Sequence, residues 1–353
     1  MYRFRFTSHS STSFGLRGLF FAALLTVLSA CSVTPAVGSE PDVPIDPALA
    51  ELEVASPTPS ELIFSAVKGT SSEPRTITLK NVGTAPLELS ALTFSGTDGA
   101  LFAAMGLTLP FTLEAGATQE ITLAFTPDSA GTKSASLEVS TAGSGTLSLD
   151  LYGLGSEGEQ GSNEPTLKDV VETLGYSVDV GGSDLELGKI AASIGDEIMA
   201  SFFERASEQP VELSVVARYG PNEVFPYGYF ASGEAPENDA PVLTEVGTIA
   251  AEDAQQLLPP VASGTTTFDP GREPFGIFGQ AGGATQYSVD DLNTGEVTHA
   301  MRVYPLKDRS GRLVPDSYLI GLEEATNGDY QDVLFVLSNV VPLSEDGEEV
   351  PLE

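Results

Sequence analysis

Between Leu62 and Gly155 the chain is written in short alternating runs, each closed by glycine, proline or another turn residue, and that pattern points to a β-sandwich. I-T-L (Ile77–Leu79), L-E-L (Leu87–Leu89), E-I-T-L-A-F (Glu120–Phe125), S-A-S-L-E-V-S (Ser134–Ser140) and L-S-L-D-L (Leu147–Leu151) each set apolar residues on one face of a strand. Asn81 and Gly83 suit a tight turn between strands, and Pro127 ends a strand that it could not extend. With 41% hydrophobic residues, the 353-residue chain can bury the cores of about two domains.

The first thirty residues read as a targeting segment. Arg3, Arg5 and Arg17 give a basic start without acids, and Gly18 to Leu28 is a short apolar run, too short for a permanent membrane span. The run ends in L-S-A-C, Leu28 to Cys31, which resembles the lipobox of bacterial lipoproteins. Small residues there admit the peptidase, and the Cys31 thiol would receive the lipid. Cys31 is the only cysteine in the sequence, so an intramolecular disulfide is excluded. Ser32 rather than Asp follows it, which implies an exported protein, lipid-anchored in the outer membrane or at the cell surface. Residues 1–30 are then a signal peptide, and 31–60 a lipidated cysteine with a Pro- and acid-rich tether.

Asp and Glu total 50 against 16 Lys and Arg, a formal net charge of −34 that loss of the leader's three arginines makes more negative still. Such a field repels nucleic acid, which is excluded as a partner, and favours solubility and cation binding. The expected partners are the membrane through the lipid anchor, and carbohydrate or another envelope protein.

Three stretches of the alternating segment carry a family resemblance: L-K-N-V-G-T-A-P-L-E-L (Leu79–Leu89), L-E-A-G-A-T-Q-E-I-T-L-A-F-T-P (Leu113–Pro127) and the closing L-Y-G-L-G (Leu151–Gly155). Together they resemble the Ig-like ASH (abnormal spindle, hydin) family of bacterial surface proteins with a choice-of-anchor organisation. The resemblance covers nearly all of residues 61–155. It implies an Ig-like β-sandwich acting as a spacer or interaction module.

Residues 156–164 (S-E-G-E-Q-G-S-N and Glu164) read as a polar linker with nothing to bury, across which two separately folded pieces are expected. Residues 165–343 read as a second, mostly-β domain, jelly-roll or sandwich-like, with one or two short helices, before an acidic tail at 344–353. Leu167, Val170, Val171 and Leu174 fall at helical spacing, with Thr166 as cap, Asp169 at the third position and Gly175 just past the end. Ile194 to Arg205 fits helix or strand equally. Val211–Tyr219, Thr298–Leu306, Ser317–Glu323 and Val333–Leu337 read as strands, the last apolar at every position as if buried on both faces.

The chemistry concentrates in G-L-E-E-A-T-N-G-D-Y-Q-D-V-L-F, Gly321 to Phe335. Folded as a hairpin, it sets Glu323 and Asp332 at the two ends of one loop, and like charges directly opposite are destabilising. Solvent, a shared proton or a cation must offset them. Glu323, Glu324, Asn327, Asp329 and Asp332 supply hard oxygen ligands around a turn at Gly328, the chemistry calcium prefers, so Ca2+ is the expected cofactor. The same stretch resembles a bacterial surface domain of unknown function marked by Glu-Asp and then Gly-Asp-x-Asp-Tyr-Asn-Asp, suspected of enzymic activity or metal binding. Glu323 and Glu324 fall on the acidic pair, with Glu324 replacing Asp; Gly328 and Asp329 fall on Gly-Asp, Gln331 replaces Asn, and Asp332 is the final Asp. The resemblance runs from Phe268–Phe278 to Leu337–Val340.

Asp290, Asp291 and Asn293, in S-V-D-D-L-N-T-G-E, suit a turn-rich loop or further ligands, and Asp269 before Pro270-Gly271 suits a turn. His299 is the single histidine outside the leader, which excludes a Cys/His zinc site, and a strand histidine of this kind is expected to be packed or hydrogen-bonded. Arg302 could pair with the hairpin acids. Two functions follow: a surface-anchored, non-enzymatic binding or structural module with a calcium-stabilised second domain, or a glycosidase-like hydrolase using Glu323 and Asp332. The absence of tryptophan, the usual sugar platform, weighs against the second.

Overall fold

The alternation emerges as burial. Leu62 and Phe64, Ile77 and Leu79, Leu87 and Leu89, Ile121 and Leu123, and Leu149 and Leu151 all point into one core. The computed structural model describes residues 51–56, 61–143, 145–189, 191–233, 241–324 and 326–351. The leader, Cys31 and most of the tether lie outside the described residues. The chain is mainly β, an N-terminal Ig-like sandwich followed by a second, mostly-β part with one α-helix.

In the N-terminal sandwich one sheet orders Leu52–Ser56, Arg75–Asn81, Thr118–Phe125 and Phe102–Met105. The facing sheet orders Glu61–Val67, Gly145–Ser156, Gly131–Thr141, Leu87–Ser95 and Phe111–Leu113, its first two strands parallel. Phe64, Phe102 and Phe125 meet between the sheets, with ring centroids 4.9 to 6.4 Å apart. Leu52–Ser56 corrects the tether reading. L-E-V-A-S alternates and pairs with Arg75–Asn81, although prolines and acids surround it in sequence. Asn81 makes the expected turn: its Nδ2 donates to Ala85 O at 2.8 Å and Leu113 O at 2.9 Å, and its Oδ1 accepts the Gly83 N–H at 3.0 Å.

The second part stacks three layers. A seven-stranded sheet orders Val261–Gly264, Thr244–Ile249, Phe225–Ala231, Phe275–Ala281, Phe202–Arg205 and Val340–Leu343, with Ala284–Tyr287 beside Phe275–Ala281. A six-stranded sheet orders Gln255–Leu257, Val211–Tyr219, Val333–Ser338, Leu313–Leu322 and Met301–Lys307, with Thr267–Phe268 beside Val211–Tyr219. Val333, Phe335 and Leu337 pack with Phe225, Tyr227 and Ile277 of the larger sheet. Leu334, Leu319 and Tyr304 pack on the opposite face with Val170, Val171 and Leu174 of the helix Leu167–Thr173. Coverage on both faces is why Val333–Leu337 is apolar throughout. The helix has its expected caps: Thr166 Oγ1 accepts the Asp169 N–H at 3.1 Å and donates to Asp169 Oδ2 at 2.9 Å, and Gly175 follows at φ +85°. Of the ambiguous stretch, Phe202–Arg205 is strand and Ile198 bridges to Val303.

Residues 156–164 differ from a free linker. Ser156 is the buried last residue of Gly145–Ser156, and Gly161–Asn163 forms a single 3-10 turn. The two parts also touch. Leu154 joins the core under the helix, the Leu257 N–H donates to Ser65 Oγ at 2.9 Å, and the Arg309 guanidinium lies 3.6 Å over the Tyr152 ring while Nε bonds Glu61 Oε2 at 3.1 Å. The acidic tail likewise folds back, with Leu343 bridged to Glu349 and Val350 packed on the core.

Asn81→Ala removes three hydrogen bonds, two of them donated to the carbonyls of Ala85 and Leu113. Stability is expected to fall by about 2–3 kcal/mol, read as a lower denaturant midpoint at unchanged slope. An unmoved midpoint would show that the turn does not depend on this amide.

Candidate metal centre

Leu322 and Val333 form the last paired rung of their two strands, so Glu323 and Asp332 stand at the ends of the connecting loop as the hairpin reading requires. The loop does not project into solvent. Glu323 is 1% exposed, Asp329 0% and Asp332 4%, which removes solvent as the agent that offsets their charge. Gly321 lets the loop lie on the sheet, because a Cβ there would sit 2.8 Å from the Tyr330 carbonyl oxygen. Gly328 makes the turn at φ +80°, and its carbonyl accepts the N–H groups of Leu187 and Gly188 at 2.7 and 3.1 Å. The irregular segment before Ile198 thus covers the tip.

One carboxylate oxygen from each of Glu323, Asp329 and Asp332 lies within 4.8 Å of the others. Backbone donors offset part of the charge. Glu323 Oε2 accepts from Gly328 N at 2.7 Å and Asp329 N at 2.8 Å, and Asp332 Oδ2 accepts from Glu324 N at 2.7 Å. Asp329 Oδ2 accepts from Gln331 Nε2 at 2.8 Å and from the Asn327 amide. Five oxygens around the loop, Glu324 Oε1 and Oε2, Asn327 Oδ1, Asp329 Oδ1 and Gln331 Oε1, are buried without a hydrogen bond in the protein, as is Nε of the neighbouring Arg218. Such a set fits a hard cation with irregular oxygen coordination, as calcium takes, better than zinc or an ideal magnesium octahedron.

The electrostatics carry the same strain. Burial, then Glu323, pushes the Asp329 carboxyl up to about 7. Burial, then the neighbouring acids against a partial offset by Arg218, pushes Glu324 up to about 8. Asp332 is raised well above the carboxylate range by burial, then by Glu323, Asp329 and Glu324. Tyr330, between Asp329 and Gln331, is held at φ +59°, a conformation costing about 1–2 kcal/mol for a side chain of this size. It is fixed by its hydroxyl, which donates to His299 O at 2.8 Å, and by the Arg302 guanidinium 4.5 Å over its ring.

The other candidates divide. Asn293 is occupied with backbone, accepting the Tyr287 N–H and donating to the Tyr287 and Thr298 carbonyls, all at 2.9 Å. Asp290 holds His299 Nδ1 at 3.0 Å, and Glu197 holds Nε2 at 2.8 Å. Asp290, Asp291 and Glu324 do not belong to the converging group of Glu323, Asp329 and Asp332, and the Asn293 amide is taken up by backbone. His299 precedes its strand, which begins at Met301. Burial would lower its pKa, but the bonds to Asp290 and Glu197 outweigh that and push it to about 9. Arg302 bonds the buried Glu197 carboxylate, a pairing the sequence did not suggest. Asp269 is a turn residue, accepting the Gly271 N–H at 2.9 Å. Sequence reasoning placed Gln331 only as a motif replacement and Glu164 only in the linker, and missed that their side chains adjoin the acids. A glycine inside the strand at 321 was the available signal that the loop folds inward.

Glycoside hydrolysis by two carboxylates needs them about 5–5.5 or 6.5–9.5 Å apart, flanking a bound sugar. Glu323 and Asp332 are buried, with one oxygen of each within 4.8 Å of the other, and clefts of about 810, 470 and 260 Å³ are lined by other residues.

No protein-family model matches the chain, and no curated protein matches it. Weak structural neighbours include the ASH/PapD-like domain 7 of human CEP192, at 18% identity over 35% of this chain and 98% of that one, with a TM-score of 0.25. The YadV chaperone is 12% identical over 67% of this chain and 96% of its own, with a TM-score of 0.24. A protein of unknown function from Porphyromonas gingivalis W83 is 14% identical over 30% of this chain and 46% of its own, with a TM-score of 0.23. Likenesses this distant do not bear on activity.

Without metal, carboxyls raised in this way contribute stability that is full below about pH 4 and lost as pH rises through about 7 to 8. In chelator, the melting temperature should therefore fall between pH 5 and pH 8.5, and Asp329→Asn should flatten that slope. An unchanged slope in Asp329→Asn would assign the pH dependence to other groups.

Proposed function

We propose that this chain is an envelope-anchored lipoprotein serving as a non-enzymatic binding or structural module. Its second domain is stabilised by calcium held by Glu323, Asp329 and Asp332, with Glu324 and Asn327. The lipid on Cys31 ties it to the outer membrane or cell surface, the Ig-like sandwich spaces or docks it, and carbohydrate or another envelope protein is its partner. The observation that carries the calcium reading is the entirely buried Asp329, whose Oδ1 lacks a hydrogen bond inside a cluster of three converging carboxylates. Burying that much like charge is costly unless a cation or protons neutralise it. The non-enzymatic reading is supported by His299, whose two ring nitrogens are both engaged by carboxylates, leaving neither open as a base.

A cation that binds only the folded state stabilises it by about 2.7 kcal/mol at a hundredfold excess over its dissociation constant. Millimolar calcium should therefore raise the melting temperature of the full chain by several degrees over chelator, and Asp329→Asn or Asp332→Asn should abolish the increment. A melting curve indifferent to calcium, yet stabilised by mild acid, would replace the cation with a shared proton and revive the hydrolase alternative.

Lipidation is tested separately. Cys31→Ser should abolish labelling by a fatty-acid analogue and release the protein from the detergent phase. Labelling that persists in the variant would sink the anchor.

A further inference from the structure

Glu164 lies far from the acidic loop in sequence, yet a closed set of hydrogen bonds joins it to the cation centre. Gln331 Nε2 donates to Asp329 Oδ2 at 2.8 Å and reaches Glu164 Oε2 at 3.5 Å. The other oxygen, Glu164 Oε1, accepts from Gln255 Nε2 at 2.8 Å, and the same nitrogen donates to Gly220 O at 2.8 Å. Each amide nitrogen has two hydrogens, and each is directed at two acceptors. Both oxygens of Glu164 are engaged. A Gln331 amide turned the other way would press its oxygen against two carboxylates, so Asp329 and Glu164 together fix its orientation. That orientation leaves Gln331 Oε1 among the unpaired buried oxygens of the cluster.

From this geometry we infer that Glu164, supplied by the segment between the Ig-like sandwich and the helix, is a positioning residue for the cation centre, acting through Gln331 on Asp329. The inference rests on the calcium reading above and adds a residue from outside the acidic loop. A glutamine at 164 could accept from one amide but would turn its own N–H2 toward the other. The carboxylate is therefore specific to the role, and a shorter carboxylate keeps part of it. Outer partners that orient ligands typically change metal affinity by about 10–100-fold when removed. The centre is then completed by a residue whose position depends on how the sandwich joins the second part, since Glu164 follows directly on Gly161–Asn163.

The test is calcium titration of the full chain by calorimetry, with melting curves in calcium and in chelator, for the wild type, Glu164→Gln, Glu164→Asp, Gln331→Ala and the Glu164→Gln/Gln331→Ala double variant. Glu164→Gln should weaken calcium binding about tenfold, Glu164→Asp should recover part of the loss, and the double variant should be no weaker than Gln331→Ala alone. Equal lowering of the melting temperature in calcium and in chelator, at unchanged affinity, would reduce Glu164 to a structural contact and overturn the inference. Fully additive losses would also overturn it, because Glu164 would then act on the ion through space. Absence of calcium binding in the wild type would defeat the calcium reading itself, a result distinct from either.

Discussion

Three carboxylates buried against the end of a sheet are the costliest feature of this fold, and much of the surrounding structure holds them there. Two ionised carboxyls a few ångströms apart in a poorly solvated site repel by several kcal/mol at an effective dielectric of about 20. Glu323 and Asp332 offset part of this with backbone N–H groups, which needs the tight turn at Gly328. Tyr330 accepts a left-handed backbone to stay within that turn, and it is braced by His299 O and Arg302. Arg302 is itself held by Glu197, and Glu197 by His299. The strain at the loop is thus shared with Glu197, more than 100 positions away in the chain.

The same sheet explains why the two parts of the molecule sit together. Its second face is closed by the helix Leu167–Thr173, and that helix also packs beside Leu154 from the end of the sandwich. A polar sequence between them therefore does not mean a free hinge. The apolar residues that fasten the junction lie on either side of the polar stretch, and the stretch itself makes one tight turn.

Much of the framework was legible. Period-two alternation located the sandwich strands, Thr166 with Asp169 located the helix, and an unbroken apolar run located a strand buried on both faces. These signals are local. The direction of the acidic loop was not, because alternation tells which side chains share a strand face and nothing about where the chain goes between strands. Leu52–Ser56 was hidden by the prolines and acids around it. Glu197, Glu164 and Gln331 gave no sign because their roles come from contacts across more than 100 residues or from an amide whose partners are distant in sequence. The candidate site was therefore half readable: the carboxylates were, and the groups that orient them were not.

Arg218 decides what kind of charge the cluster still lacks. It is fully buried, lies 5.1 Å over the Phe225 ring, and donates to the carbonyls of Glu223 and Pro221 at 2.6 and 2.8 Å. Two of its three guanidinium nitrogens are therefore tied to backbone while Nε is left without a bond, and it acts on Glu324 and Asp332 through space. An arginine turned onto the carboxylates would have satisfied them bidentately and left no acceptor over. Held back as it is, Arg218 moderates the field while the oxygens of Glu324, Asn327 and Asp329 stay unpaired. One fixed positive charge set beside three buried acids and the half-buried Glu324 leaves a deficit, and a divalent ion there would find its ligands among the oxygens the arginine does not take.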